Sequence, residues 1–169
     1  MTSLRNVLLS LSLLTLAACG FHLRGSDLQD VRFGFKSIYL KTQGESPFVA
    51  ELHRSLTKNK MEPVATAEQA ELILEIVSEN VGKQILSLSG SGRVREYQLS
   101  YRVSMRAYDL QQTEWLPPDD VQLNRVLSYD DELILAKEQE EAQLYKDMRA
   151  DAVAQTVRRL MRAKPQPLE

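Results

Sequence analysis

Three groups of residues in this 169-residue chain are of types that could do chemistry. The first is Cys19, the only cysteine, which ends the run Leu16-Ala17-Ala18-Cys19. A lone thiol behind small residues cannot build a disulfide framework or a Cys-rich zinc site. It can act as a nucleophile where an exported chain meets the membrane. The second group is cationic. Arg93 and Arg95 flank the turn Ser89-Gly90-Ser91-Gly92, and Lys137 stands near the start of the last helical stretch. Arginine and lysine at turns grip phosphorylated ligands, and they serve equally as solvated face charges. The third group would be catalytic. His22 and His53 are isolated, and no Gly-x-Ser-x-Gly elbow supplies a nucleophile. Asp119-Asp120 and Asp130-Asp131 fall in a loop and a first helical turn. Ser-Gly-Ser-Gly lacks the Lys-[Ser/Thr] ending of a phosphate loop. No cofactor motif and no metal-ligand cluster stands out.

Composition narrows the classes further. A formal net charge of −2 lacks the basic excess of a general polyanion binder. The apolar fraction of 43% and the charged fraction of 26% are those of an ordinary globular domain with its own core.

The elements that must position these residues can be read along the chain. Residues 1–18 carry Arg5 and then an uncharged apolar run from Val7 to Leu16, too short to remain as a membrane span. This is the pattern of a cleaved export signal. Residues 19–36 read as the mature N-terminus and tether, residues 37–164 as one domain, and residues 165–169 as a short tail. Ile38 and Leu40 mark a first strand. Ser46 as N-cap and Pro47 at the first position start a helix with Phe48, Leu52 and Leu56 on its apolar face, ending near Asn59. Glu71 to Ser78 alternates and can continue to Leu88. Ser89–Arg93 turns the chain into the clearest alternation of all, from Glu96 to Ala107. Leu116 to Asp120 reads as a loop, and Val121 to Tyr129 as a fourth strand with Val121, Leu123 and Leu127 inward. A long helix follows from Asp130 to Ala163, with acids in its first turn and arginines in its last. Its apolar stripe is Leu144, Met148, Ala152, Val153, Val157, Leu160 and Met161. The expected fold is α+β: a small, mostly antiparallel mixed sheet of about four strands, with two helices packed on one face, in the order β-α-β-β-β-α.

Leu-Ala-Ala-Cys after a short apolar run resembles the bacterial lipobox. The resemblance implies cleavage before Cys19, a diacylglycerol on its sulfur and a palmitoyl group on its nitrogen. Stable anchoring needs more than one acyl chain, which this supplies. Gly20 in place of Asp as the second mature residue favours the outer membrane by the same resemblance. The mature chain of 151 residues carries 20 basic and 23 acidic residues, a charge of −3.

At Cys19-Gly20-Phe21-His22-Leu23-Arg24 the chain resembles the LptE family of lipopolysaccharide-assembly lipoproteins. Ser37-Ile38-Tyr39-Leu40, Glu96-Tyr97-Gln98-Leu99 and Leu135-Ala136-Lys137 agree with the family's first strand, long central strand and last helix. The resemblance implies a non-enzymatic outer-membrane component with no cofactor. It would plug an LptD-type β-barrel from the periplasmic side, help assemble it, and take part in delivering lipopolysaccharide to the cell surface. It also implies lipopolysaccharide binding. Lys137 lies on a family-like match, whereas Arg93 and Arg95 lie near the basic position of some relatives, where this chain has Gly90. A lipid-anchored accessory subunit of another envelope lipid-trafficking complex would share the same layout.

Overall fold

The computed structural model describes residues 33–166. The export signal, Cys19, His22 and most of the tether lie outside the described residues. Strand β1, Ile38–Lys41, leads through Ser46 into helix α1, Pro47–Lys58. The Ser46 hydroxyl accepts from the Val49 amide at 3.2 Å, and Pro47 fills the position where an amide hydrogen would have no partner. Asn59 caps the other end. Three long strands follow: β2 Leu72–Leu88, β3 Val94–Tyr108 and β4 Glu114–Ser128. A 3₁₀ turn, Asp131–Leu133, leads into helix α2, Ile134–Arg162. The Asp130 carboxylate accepts from the Glu132 amide at 3.0 Å, so the acids expected in the helix's first turn cap and precede it.

The sheet order is β1-β2-β3-β4. β1 runs parallel to β2, pairing Ile38 with Leu72 and Lys41 with Glu75. β2, β3 and β4 are antiparallel. The expected order, sheet and helices are all present.

The core lies between one face of the sheet and both helices. Leu72, Leu74 and Ile76 of β2 meet Leu99, Tyr101, Val103, Met105 and Ala107 of β3. Above them sit Phe48, Leu52 and Leu56 of α1, and Met148, Ala152, Val153, Val157 and Leu160 of α2. Val121 and Leu127 are buried as expected, while Leu123, Leu144 and Met161 are half-buried. Thr156 joins the stripe, its hydroxyl donating to the Ala152 carbonyl at 3.0 Å, which satisfies the one polar atom it buries. Phe35, in the stretch read as tether, is 4% exposed, and it stacks edge-on against Trp115.

One element is corrected. The expected loop Leu116–Asp120 is part of β4. Prolines signal a loop because they cannot donate to a ladder, but β4 is an edge strand and needs donors on one side only. Ala107 pairs with Leu116 while Met105 pairs with Asp119, so β4 carries one residue more than β3 there. Pro117-Pro118 is that bulge.

A second bulge changes which residues face the helices. Between Ile76 and Ser78 the register of β2 slips, and Glu79, Val81, Lys83 and Ile85 then pair with Val103, Tyr101, Leu99 and Tyr97. Paired residues share a face, so Glu79 and Lys83 turn to the helix side. The Tyr101 hydroxyl donates to the Glu79 carboxylate, and burial together with that bond pushes the Tyr101 phenol far above its ordinary value. The opposite face of the sheet stays open and polar, with Gln98, Ser100, Arg102 and Ser104 beside Gln122 and Asn124. Glu75 lies there between Lys41 at 2.9 Å and Arg106 at 2.7 Å, and the Lys41 hydrogen bond holds its carboxyl below the usual range.

β2 outlasts β1, so its outer side has no strand partner beyond Glu75. Two of its carbonyls hold side-chain donors instead: Val77 accepts from Gln43 at 3.2 Å and Gly82 from the Tyr145 hydroxyl at 2.8 Å.

Candidate functional site

The β2–β3 turn, the end of β4 and the start of α2 meet at one end of the sheet, the tip. The turn is built by its own atoms. The Ser89 amide donates to the Arg93 carbonyl at 2.7 Å, and the Arg93 amide returns to the Ser89 hydroxyl at 3.1 Å. Gly92 has φ +78°, a left-handed conformation that disfavours any side chain. Next to it, the Tyr129 amide donates to the Arg95 carbonyl at 2.8 Å and the Tyr129 ring stacks edge-on against Tyr97, fixing the end of β4 to β3.

The three cations singled out from sequence all lie at this tip, in different states. Arg93 and Arg95 are exposed and hold no ion pair among the described residues. Lys137 is committed: its side chain is only 16% exposed, and its ammonium donates to Ser128 at 3.1 Å and Glu140 at 2.9 Å. A phosphate reaching Lys137 would have to compete with the Glu140 carboxylate.

Sequence reasoning missed two further components. Lys83 sits 4.3 Å over the Tyr97 ring and 2.5 Å from Glu141, and that carboxylate holds its ammonium pKa up. Toward the same end of the sheet, Ile85, Leu86, Leu88, Val126, Leu133, Ile134 and Leu135 stand exposed, Val126 on the face opposite Lys83. Two signals were available. Ile85-Leu86 places apolar residues on both faces of one strand, and Leu133-Ile134-Leu135 breaks the helical period. Both require apolar surface outside the core.

The other sequence candidates do not converge. His53 is exposed on α1, and Asp119 and Asp120 are used structurally. Arg159 binds the Asp119 carboxylate at 2.7 Å and the Asp120 carbonyl through both terminal nitrogens at 3.1 Å, clipping α2 to the β4 bulge. Among the described residues no group of three or more His, Cys, Asp or Glu could hold a metal ion. No described helix is long and apolar enough to cross a membrane.

Comparison with solved structures places this arrangement. The solution NMR structure of an uncharacterized lipoprotein B from Nitrosomonas europaea is 39% identical, with TM-score 0.70, over 82% of this chain and 88% of that one. The crystal structure of rare lipoprotein B from Shewanella oneidensis is 25% identical, with TM-score 0.62, over 75% of this chain and 91% of that one. A minor lipoprotein from Acinetobacter baumannii, 20% identical, shares the fold at TM-score 0.65 over 80% of this chain and 100% of its own. The search of curated proteins gave no match. The family model for LptE, lipopolysaccharide-assembly, matches residues 35–160, from the buried Phe35 to the buried Leu160. The chain belongs to the LptE family.

Proposed function

We propose that this chain is an outer-membrane lipoprotein, acylated at Cys19, that seats in an LptD-type β-barrel, helps assemble it and takes part in lipopolysaccharide delivery. Membership of a lipopolysaccharide-assembly family across nearly all of the described domain is the observation that carries this reading. The role is non-enzymatic. The tip binds lipopolysaccharide, with Arg93 and Arg95 on its phosphates and Lys137 joining as Glu140 yields. The exposed aliphatic side chains beside them match the acyl part of an anionic amphiphile. The open polar face of the sheet suits a water-filled barrel, whose interior is polar.

A pull-down from outer membranes in mild detergent tests the partner. A stoichiometric β-barrel is the expected companion; recovery alone, or with an inner-membrane transporter, would replace this reading with that of an accessory subunit of another complex. Reversing Arg93, Arg95 and Lys137 together to Glu is expected to weaken lipopolysaccharide binding about tenfold or more. Because two of the three are exposed, stability should change by only about 1 kcal/mol.

A further inference from the structure

The end of the domain opposite the tip, its base, carries a second cationic surface. There α2 ends in Arg158, Arg159 and Arg162, followed by Lys164. Helix-dipole compensation asks for positive charge at this terminus. Arg159 already supplies it while bound to β4. Arg158, Arg162 and Lys164 are exposed and hold no ion pair among the described residues. Two cavities open among these cations. Trp115, Leu116 and Pro117 line an open groove of about 360 Å³ together with Arg159, Arg162 and Lys164. Gln155, Arg158, Arg159 and Arg162 line a smaller one of about 190 Å³.

The apolar floor is held in place. The Trp115 indole N–H donates to the Asp109 carboxylate at 3.3 Å, and its ring meets Phe35 edge-on. Three acids at this end are already engaged. Asp109 holds its own turn through the Gln111 and Thr113 amides, Asp119 holds Arg159, and Asp120 holds Arg102. The free cations therefore call for carboxylates or phosphates from another molecule, joined to an apolar group that fits the groove. Two observations choose a peptide over a lipid. The groove is at the small end for a ligand pocket, suited to a side chain and not to several acyl chains. Its wall is also an edge strand, and the chain leaving α2 already lies against the start of that strand, the Gln166 amide donating to the Glu114 carbonyl at 2.8 Å. Main-chain groups on a sheet edge pair with an extended peptide and offer an acyl chain nothing.

We infer that the base docks an acidic, extended peptide segment of the barrel chain in which the domain seats, with carboxylates on Arg158, Arg162 and Lys164 and an apolar side chain on Trp115. The source of the segment rests on the seat proposed above; the chemistry of the face does not. A barrel presents polar side chains inward, and carboxylates among them meet these cations as the domain enters. The base then fixes how the domain sits in the lumen, while the tip keeps its own cations for lipopolysaccharide.

The test places the photocrosslinking residue p-benzoylphenylalanine at Gln155 of the full chain, in outer membranes. Irradiation is expected to join it to an acidic segment of the barrel, identified by mass spectrometry of the linked peptides. The triple variant Arg158→Glu, Arg162→Glu, Lys164→Glu should lower the yield severalfold, and Arg158→Lys with Arg162→Lys should keep it; thermal melts confirm that each variant is folded. Trp115 is the only tryptophan, so its emission reports on the base alone. With the mature chain purified in mild detergent, a short peptide alternating Asp and Leu should shift that emission, and the shift should fade at high salt. The same peptide with Asn in place of Asp should leave it unchanged. A barrel recovered without an adduct at Gln155, or with one on a segment free of acids, overturns the inference and leaves the seat standing. So does an adduct with lipopolysaccharide or with a second copy, or a triple variant that crosslinks as well as the wild type. A chain that recovers no barrel loses the seat and the barrel as source, and the face for acidic peptide then stands or falls on the Asp peptide against its Asn counterpart.

Discussion

The tip and the base are built from the same strands and the same helix, yet they use their cations in opposite ways. At the tip, Lys137 and Lys83 are bound to Glu140 and Glu141 on α2, while the two exposed arginines sit among exposed aliphatic side chains. At the base, one arginine is spent on joining α2 to β4, and the other cations of the helix end face solvent beside an aromatic groove. The tip is held mainly by its backbone turn and by carboxylates; the base is held by side chains that reach into the core. The lesson is that net charge says little about either end. In a chain of charge −2, acids stand at both ends and engage part of the cations there: Glu140 and Glu141 hold Lys137 and Lys83, and Asp119 holds Arg159.

This contrast can be broken at graded cost. The largest effect is expected where the base merges with the core. Leu160→Ala removes a fully buried side chain of α2 and should destabilise the fold by about 2–5 kcal/mol in urea unfolding. Leu86→Ala, exposed at the tip, should stay within ~0.5 kcal/mol in the same assay. Next comes the clip between α2 and β4. Arg159→Ala leaves the Asp120 carbonyl and the Asp119 carboxylate without their shared donor, and a loss of roughly 1.5 kcal/mol is expected. The equivalent cut at the tip, Lys137→Ala, should cost less, because Lys137 bonds only to Ser128 and to Glu140 on its own helix, whereas Arg159 joins α2 to β4 through the Asp119 carboxylate and the Asp120 carbonyl.

The smallest effect concerns pH and the open face between the two ends. The Glu75 carboxyl is held below its ordinary value by Lys41 and then by Arg106. A depressed carboxyl contributes stability above its unfolded value, near ~4.3, and that contribution is lost as pH falls through the lower folded value. Thermal unfolding should therefore show a decline in Tm below about pH 4 that Glu75→Gln makes shallower.

Much of this architecture was readable from local pattern. Ser46-Pro47 declares a helix start by its own chemistry, and the run from Glu96 to Ala107 allows only one face to be buried. Pro117-Pro118 misled because proline is a local signal, whereas tolerance of a bulge depends on β4 being an edge, a property of the whole sheet. The slip between Ile76 and Ser78 was hidden for the same reason: register belongs to two strands, and only the pairing turns Glu79 and Lys83 toward the helices. At the tip, Arg93, Arg95 and Lys137 were visible as cations near turns. The capture of Lys137 by Glu140, and the assembly of Lys83 and the aliphatic residues beside it, come from contacts across as many as 58 residues of chain.

The unpaired side of β2 has a consequence for life in a crowded envelope. A long strand with a bare edge invites another copy to add itself in register, and repetition of that step leads to fibres. Here Gln43 and Tyr145 hold the Val77 and Gly82 carbonyls, and the bulge beside Val77 interrupts the line of the edge. An incoming strand would have to displace both side chains and would still meet a broken register. Molecules crowded together can thus collide edge to edge without polymerising.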